Sequence, residues 1–321
     1  MSEKPKKTNM TADEQSVLRK KRASHIAILC VRYFFLLALS YVVLFQLFYM
    51  ISYAIRPEAD TYNPSVVWIP SVLTGENFSV AFETLRYVSS GVQSLLVGQV
   101  SALIEVFVCA VIAYGFARFE FKEKNFVFFL IVVTIMVPVQ MLIVPMYLNY
   151  SHFDVLGILD LFRRLTGVDL RPNLLDTGWT FYLPSLFGVG LRSGLFIFIY
   201  RKFFEGLPRE LEEAAYVDGA GPMRTFLSVI LPSSGVVFLT VTIFSSIWHW
   251  NESYMAGMFT IDRKPLAVML EMFSMSAKNL GHDTRNARMA GCLLFIAPML
   301  LMYMVLQRKF VQSIDRVGIV G

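Results

Sequence analysis

Three charged residues lie inside long apolar stretches of this sequence. Glu105 is in the run SALIEVFVCA, Arg192 is in GVGLRSGLFIF, and Glu252 follows Trp250 and Asn251 in a third run. A charge at bilayer depth costs at least about 2.5 kcal/mol, so each of these side chains should face protein or water. The candidates for the lining of a polar translocation path are therefore Glu105, Arg192, Trp250, Asn251 and Glu252. The alternative is that they form internal ion pairs that only fix helix packing.

Small and aromatic residues accompany these charges. Gly190 and Gly194 flank Arg192 at a spacing that is typical of closely packed membrane helices. Trp248 and His249 are interpreted as core or interfacial aromatics rather than as a site. His249 has no second ligand at metal-binding spacing, and we predict no metal site and no catalytic residue.

The segment from Leu207 to Pro232 (LPRELEEAAYVDGAGPMRTFLSVILP) carries a different pattern. A proline and three glutamates crowd its start, which suits the first turn of a helix. Residues 218–222 (DGAGP) break that helix, and Pro222 can begin a second one. The middle of the segment is rich in alanine and glycine (Ala214, Ala215 and residues 219–221), whose small size permits close approach by a partner protein. The pattern predicts a helix–turn–helix that is either a docking surface or a plain connector.

Composition indicates the kind of fold that must hold these residues. Apolar residues make up 55% of the 321 residues, and charged residues make up 17% against about 25% in soluble domains. The mean hydropathy is +0.55. A water-soluble fold of this size cannot bury so much apolar surface. The sequence therefore predicts an all-α polytopic membrane protein and excludes an ordinary cytosolic enzyme, a disordered chain and a disulfide-stapled secreted domain.

Six apolar runs are long enough to cross a bilayer. They lie at about 29–52, 90–116, 126–149, 183–204, 236–258 and 289–307. With both termini inside, the cytoplasmic segments hold 17 Lys and Arg residues and the outside loops hold 10. This bias predicts a cytoplasmic location for both termini. It also explains the net charge of +5 without a nucleic-acid partner.

The chain is accordingly divided into three parts. Residues 1–28 form a basic cytoplasmic segment, residues 29–310 form the six-helix domain with the loop at 207–232, and residues 311–321 form a cytoplasmic tail. A capping-box pattern at Thr11–Glu14 predicts a short surface helix before the first span, with a disordered basic tail as the alternative.

The loop resembles the signature loop of permease subunits of ATP-binding-cassette importers. That pattern is represented here by Glu213-Ala214-Ala215, Gly219, Val229 in the place of an isoleucine, and Leu231-Pro232. Three further segments resemble the carbohydrate branch of the family, the maltose-type inner-membrane permeases. They are Tyr114–Phe119 with Lys124, Trp250-Asn251, and Val317–Gly321. The resemblance covers roughly residues 30–321.

The resemblance implies a mechanism and a set of partners. A second homologous permease subunit, a cytoplasmic ATPase dimer and an extracellular substrate-binding protein would complete an importer of a carbohydrate in the plasma (inner) membrane. ATP and Mg²⁺ would be held by the ATPase, which agrees with the lack of a phosphate-binding G-x-x-x-x-G-K-[ST] motif in this chain. The residues that would transmit ATPase motion, without doing chemistry, are Glu213, Ala214, Ala215, Asp218, Gly219, Ala220, Leu231 and Pro232.

The sequence departs from the family at one place. Residues 156–173 lengthen the outside loop between spans three and four, where a binding protein would dock. The insertion either adjusts this docking or is a tolerated loop expansion. The alternative function for the whole chain is a secondary transporter of a small polar solute driven by an ion gradient. It predicts paired mid-membrane acidic residues and broken helices in corresponding halves of the chain, but Glu105 alone gives little support and no clear internal repeat is visible. A membrane-anchored enzyme would need a longer soluble segment than any loop provides.

Overall fold

The computed structural model describes residues 12–279 and 285–317, and within these ranges it contains helices and no β-strand. The first half of the chain holds α1 (Ala12–Ala54), α2 (Glu58–Thr61), α3 (Glu76–Thr84), α4 (Tyr87–Gln93), α5 (Val100–Arg118), α6 (Lys124–Met136), α7 (Val139–Ser151), α8 (Ile158–Thr166) and α9 (Trp179–Leu186). The second half holds α10 (Ser193–Glu205), α11 (Glu210–Val217), α12 (Pro222–Thr225), α13 (Leu231–Ser233), α14 (Gly235–Asn251), α15 (Tyr254–Phe259), α16 (Leu266–Glu271), α17 (Phe273–Asn279) and α18 (Arg285–Val317).

Three of the predicted spans coincide with single long apolar helices. They are Ser24–Ala54, Tyr87–Arg118 and Arg285–Gln307, and the second is continuous because a π-helical segment at Ser94–Gln99 joins α4 to α5. The first two contain no proline, which favours an unbroken helix, whereas the third continues through Pro298. The structure thus agrees with a helical membrane protein.

The other predicted spans are bent or divided. Between α6 and α7 the chain turns by 100° at Pro138, which has no backbone N–H to continue the helix. The predicted span at 236–258 is divided between α14 and α15, and the segment from Pro222 to Ser233 meets α14 at 84° before that span begins. The predicted span at 183–204 is divided between α9 and α10, and Gly188 and Arg192 in the break adopt left-handed backbone conformations. By length and composition, three to five spans are present in the described residues.

The N-terminal part differs from the predicted short surface helix. The helix that begins at Ala12 continues without a break through the first span to Ala54. The most apolar stretch of this helix has no buried residue in the single chain. A helix that is apolar on all sides requires lipid or another protein around it. Residues 1–11, which begin the predicted basic segment, lie outside the described residues. The same is true of residues 318–321, which hold most of the tail motif.

α5 is the central helix of the fold and packs against α9, α10 and α14. Close contacts at two glycines set the distances between the packed helices. A Cβ built on Gly190 would lie 2.9 Å from Glu105 Oε1, and one on Gly194 would lie 2.7 Å from Thr134 Oγ1. Both glycines thus make the close packing that their spacing predicted.

The inserted loop contains an ordered helix. α8 begins after Gly157, and the Asp154 carboxylate accepts backbone N–H groups from Leu159 (2.9 Å) and Asp160 (2.7 Å). Asp160 in turn pairs with the guanidinium groups of Arg163, Arg164 and Arg171. The insertion is therefore braced mainly by contacts within itself, and it exposes the apolar side chains of Leu156, Leu161 and Leu165.

Candidate functional site

The candidate site begins with the loop between α10 and α14. α11 ends in a Schellman motif, because the Gly219 N–H donates to Tyr216 O (3.0 Å) and the Ala220 N–H donates to Ala215 O (2.9 Å). Gly219 has φ +78°, a left-handed conformation that costs glycine little. Pro222 then occupies the first turn of α12. The two helices and their turn are thus explained by local sequence.

One face of this loop is open to a partner. Within the described part of the chain, no atom lies within 4 Å of a Cβ built on Gly219 or Gly221. Val217 and Met223 on either side are 87% and 56% exposed, so two apolar side chains flank the small residues. Ala214 is also exposed on this face. Exposed apolar side chains beside bare backbone are typical of an interaction surface.

The opposite face of the loop is fixed to the end of α5. Arg118 Nε and Glu212 Oε1 are 2.9 Å apart, and the two side chains are only 6% and 8% exposed. Arg118 Nη2 also donates to Leu207 O at 2.9 Å. The Tyr114 ring lies 5.0 Å from the ring of Phe226, which is buried at the start of the π-helical segment after α12. Electrostatic and aromatic contacts therefore join the loop to α5.

A polar cluster lies in the middle of the helix bundle. Glu105 is fully buried on α5. Its Oε1 accepts a hydrogen bond from Ser193 Oγ of α10 (2.5 Å), and its Oε2 accepts one from Ser245 Oγ of α14 (2.9 Å). His249 Nδ1 is 3.7 Å from Glu105 Oε2. The cluster satisfies the carboxylate internally and links three helices.

The other four predicted path residues occupy different surroundings. Arg192 and Glu252 line one cavity of about 200 Å³, together with Gln140. Asn251 is exposed and donates its side-chain N–H to a carbonyl one turn earlier. Trp250 is buried in an apolar cluster and donates to a backbone carbonyl of α18. The five residues therefore do not form a single group.

A larger polar cavity lies beside α4 and the loop after α15. It has a volume of about 1110 Å³ and is lined by side chains that include Glu83, Arg86 and Lys264. The lining loop is held by Asp176, whose Oδ1 accepts backbone N–H groups from residues 261–263 at 2.8–3.2 Å. Burial raises the pKa of Asp176, but the three backbone donors and the charge of Arg263 together lower it by more, so the pKa lies below its usual range.

Residues 106–316 match the family described as "Binding-protein-dependent transport system inner membrane component". The chain belongs to this family. It is therefore an inner-membrane permease subunit of an ATP-binding-cassette importer, and a transport component rather than a catalyst. The matched range includes the loop between α10 and α14 and the polar cluster's Ser193, Ser245 and His249.

The permease is similar over most of its length to several other permease proteins. It is 28% identical to the probable ABC transporter permease protein YurM of Bacillus subtilis, covering 90% of this chain and 86% of that protein. It is 28% identical to the diacetylchitobiose uptake system permease protein NgcG of Streptomyces coelicolor (75% and 72%). It is 24% identical to the trehalose transport system permease protein SugB of Mycobacterium tuberculosis (87% and 93%).

A solved structure supports the fold of the permease. A chain from the crystal structure of a bacterial ABC transporter involved in alginate import superposes with a TM-score of 0.63. The match covers 94% of the permease and 100% of that chain at 20% identity, so it concerns the fold alone.

Sequence reasoning missed three features of this site. It set His249 aside, and it assigned no role to Asp176 or to the pairing of Arg118 with Glu212. The pairing of Arg118 with Glu212 has no signal in the local sequence, because the two residues are 94 positions apart and only the fold buries them together. In the described residues, no group of three or more His, Cys, Asp or Glu side chains is placed to hold a metal ion.

Proposed function

We propose that this permease carries a carbohydrate, delivered by an extracellular binding protein, across the inner membrane. The support is that its relatives are named for importers of diacetylchitobiose, trehalose and melibiose, raffinose or stachyose. The permease pairs with a second homologous subunit, and a cytoplasmic ATPase dimer that holds ATP and Mg²⁺ drives the pair. In this arrangement residues 29–310 cross the bilayer six times, and both termini are cytoplasmic.

The loop from 207 to 232 is the proposed contact with the ATPase. The observation that carries this assignment is its two-sided geometry, with small residues exposed on one face and a buried ion pair to α5 on the other. The proposed docking residues are Glu213, Ala214, Asp218, Gly219 and Ala220. Ala215 was predicted with them, but it is buried and supports this surface from behind. Leu231 and Pro232 lead the chain back into α14. ATPase closure would then move the loop, and the loop would move the helices.

Gly219→Asp tests the docking surface. A carboxylate at this position adds bulk and charge to the proposed contact, and we expect ATP hydrolysis without uptake in the reconstituted importer. Gly219→Asn is the matched control, because asparagine has the same shape and tolerates the left-handed backbone better than most residues. It should retain more uptake than the aspartate variant. Normal uptake by Gly219→Asp would count against the assignment of the loop.

The polar residues in the membrane remain candidates for the sugar path. Arg192 and Glu252, together with Gln140, offer charged and amide groups to hydroxyls in one cavity. Glu105, Trp250 and Asn251 were predicted on the same path, and the buried positions of the first two favour a packing role instead. Substrate contact by this subunit is therefore proposed for Arg192 and Glu252 first.

The inserted helix α8 is the proposed adjuster of binding-protein docking. It lies in the loop between the third and fourth predicted spans, and its apolar residues Leu161 and Leu165 are exposed. Deletion of residues 157–172 should weaken the affinity of the importer for its binding protein. Unchanged affinity together with unchanged uptake would show that the insertion is a tolerated expansion.

A further inference from the structure

The ion pair between Arg118 and Glu212 connects two segments that are far apart in sequence. Arg118 is the last residue of α5, and Glu212 is in the first turn of α11. Arg118 uses one N–H on the Glu212 carboxylate and another on the Leu207 carbonyl, both at 2.9 Å. The guanidinium therefore holds the two ends of the 207–212 segment at one point.

Stability alone does not account for this pair. Two charges must lose their hydration to reach side-chain exposures of 6% and 8%. Replacement of a buried ion pair with apolar side chains of similar size is often neutral or stabilising. A buried pair is better suited to fixing one geometry, because its hydrogen bonds are directional and its misplacement leaves an unpaired charge.

The helix that carries Arg118 also carries the polar cluster of the bundle. Glu105 is thirteen positions before Arg118 on the unbroken helix α5, a distance of about 20 Å at 1.5 Å per residue. Its two oxygens accept hydrogen bonds from Ser193 of α10 and Ser245 of α14. A displacement of the cytoplasmic end of α5 therefore reaches both other helices through one rigid element.

We infer that Arg118 is a positioning residue that makes the loop and α5 move as one body, so that ATPase motion reaches the membrane helices. This inference rests on the proposed contact of the loop with the ATPase. Loss of the pair leaves the docking surface intact but lets the loop move without α5. ATP hydrolysis then continues without the conformational change at the outer face of the permease.

The test measures the outer face directly and needs no sugar. A single cysteine replaces Ser89, an exposed residue at the cavity of about 1110 Å³ beside α4, which lies outside in the proposed topology. The background lacks Cys30, Cys109 and Cys292. The complete importer in proteoliposomes is labelled with a membrane-impermeant maleimide, with and without ATP and Mg²⁺. The readouts are the ATP-induced change in labelling rate and the rate of ATP hydrolysis.

The decisive variant is R118M/E212M, because it removes both charges and avoids an unpaired buried one. Couplings between sites are commonly about 5- to 150-fold, and we expect the ATP-induced labelling change to fall about tenfold. ATP hydrolysis and subunit abundance should stay within about twofold of the parent. R118E/E212R restores the pair and should recover part of the labelling response.

A neighbouring ion pair supplies the control. Glu120 and Lys124 are also 2.9 Å apart, but the Glu120 side chain is 81% exposed, so Glu120→Gln should leave both readouts unchanged. Gly219→Asp is measured beside these variants. A full response in R118M/E212M with a lost response in Gly219→Asp would overturn the inference and leave the proposed loop contact standing. A full response in both would overturn both.

Discussion

Replacement of Gly194 with alanine should destabilise the permease, although alanine normally favours a helix. The added Cβ would lie 2.7 Å from Thr134 Oγ1, 2.9 Å from Ile131 O and 3.2 Å from Ile135 Cγ1. The second contact is with backbone, which cannot rotate away. The Thr134 hydroxyl is also constrained, because it donates to the same Ile131 carbonyl at 2.6 Å. α6 must therefore shift away from α10.

The expected size follows from these contacts. Overpacking of this kind costs about 1–3 kcal/mol. Alanine returns less than the usual ~0.5–1 kcal/mol of helix preference, since Gly194 is only the second residue of α10. Gly91 is the matched control, because it is inside α4 and no atom of the residues that the structure describes lies within 4 Å of its built Cβ. Gly91→Ala should stabilise by about 0.5–1 kcal/mol. The two variants should thus differ by roughly 1–4 kcal/mol.

Unfolding in mixed micelles with increasing dodecyl sulfate measures this difference. Tryptophan fluorescence is a suitable signal, since the Trp248 ring lies 5.4 Å from Phe196 of α10. Removal of the Thr134 hydroxyl relieves one of the three contacts, so the Gly194→Ala/Thr134→Ala pair should lose less stability than the two single changes combined. Equal stability of Gly194→Ala and Gly91→Ala would refute the close approach of α6 and α10.

Two further predictions concern buried and loop carboxylates. Glu105→Ala leaves the hydroxyls of Ser193 and Ser245 without their acceptor and should cost about 2–4 kcal/mol, whereas Glu105→Gln keeps one acceptor and should cost about half as much; the same unfolding experiment would contradict this if both variants matched the parent. Asp176 has a lowered pKa when folded, so its stabilising effect is present above the unfolded pKa of about 3.9 and is lost as the pH falls through the folded value. When the pH falls below the folded pKa of Asp176, amide hydrogen exchange at residues 261–263 should become several-fold faster relative to exchange in neighbouring loops. An unchanged ratio of these exchange rates would rule out the carboxylate as the anchor of the loop.

Local sequence was sufficient for several elements of the fold. The uninterrupted apolar run at 90–116 became the helix Tyr87–Arg118, and the run at 289–307 lies within α18. The end of α11 and the start of α12 followed from Gly219 and Pro222, whose backbone preferences act within a few residues. Where the chain itself contains the cause of an element, one sequence is enough to find it.

The divided span at 183–204 shows where local information ends. Its apolar composition predicts one helix, but Arg192 adopts φ +68° and separates α9 from α10. A non-glycine residue rarely adopts this left-handed conformation unless the surrounding structure holds it there. Here Glu105 and Ser185 pack against the neighbouring Gly190, and they come from α5 and α9. The break is therefore a result of tertiary packing.

Packing in a bilayer also explains why the polar residues were visible and their partners were not. Lipid tails are as apolar as leucine, so the hydrophobic effect does little to choose one helix–helix contact over another. Close glycine contacts and buried hydrogen bonds must make that choice. Glu105 joins α5 to α10 and α14, and Arg118 joins α5 to the loop after α10. Such residues are conspicuous as charges in apolar sequence, while the identity of each partner depends on a fold that brings together positions 88 to 140 residues apart.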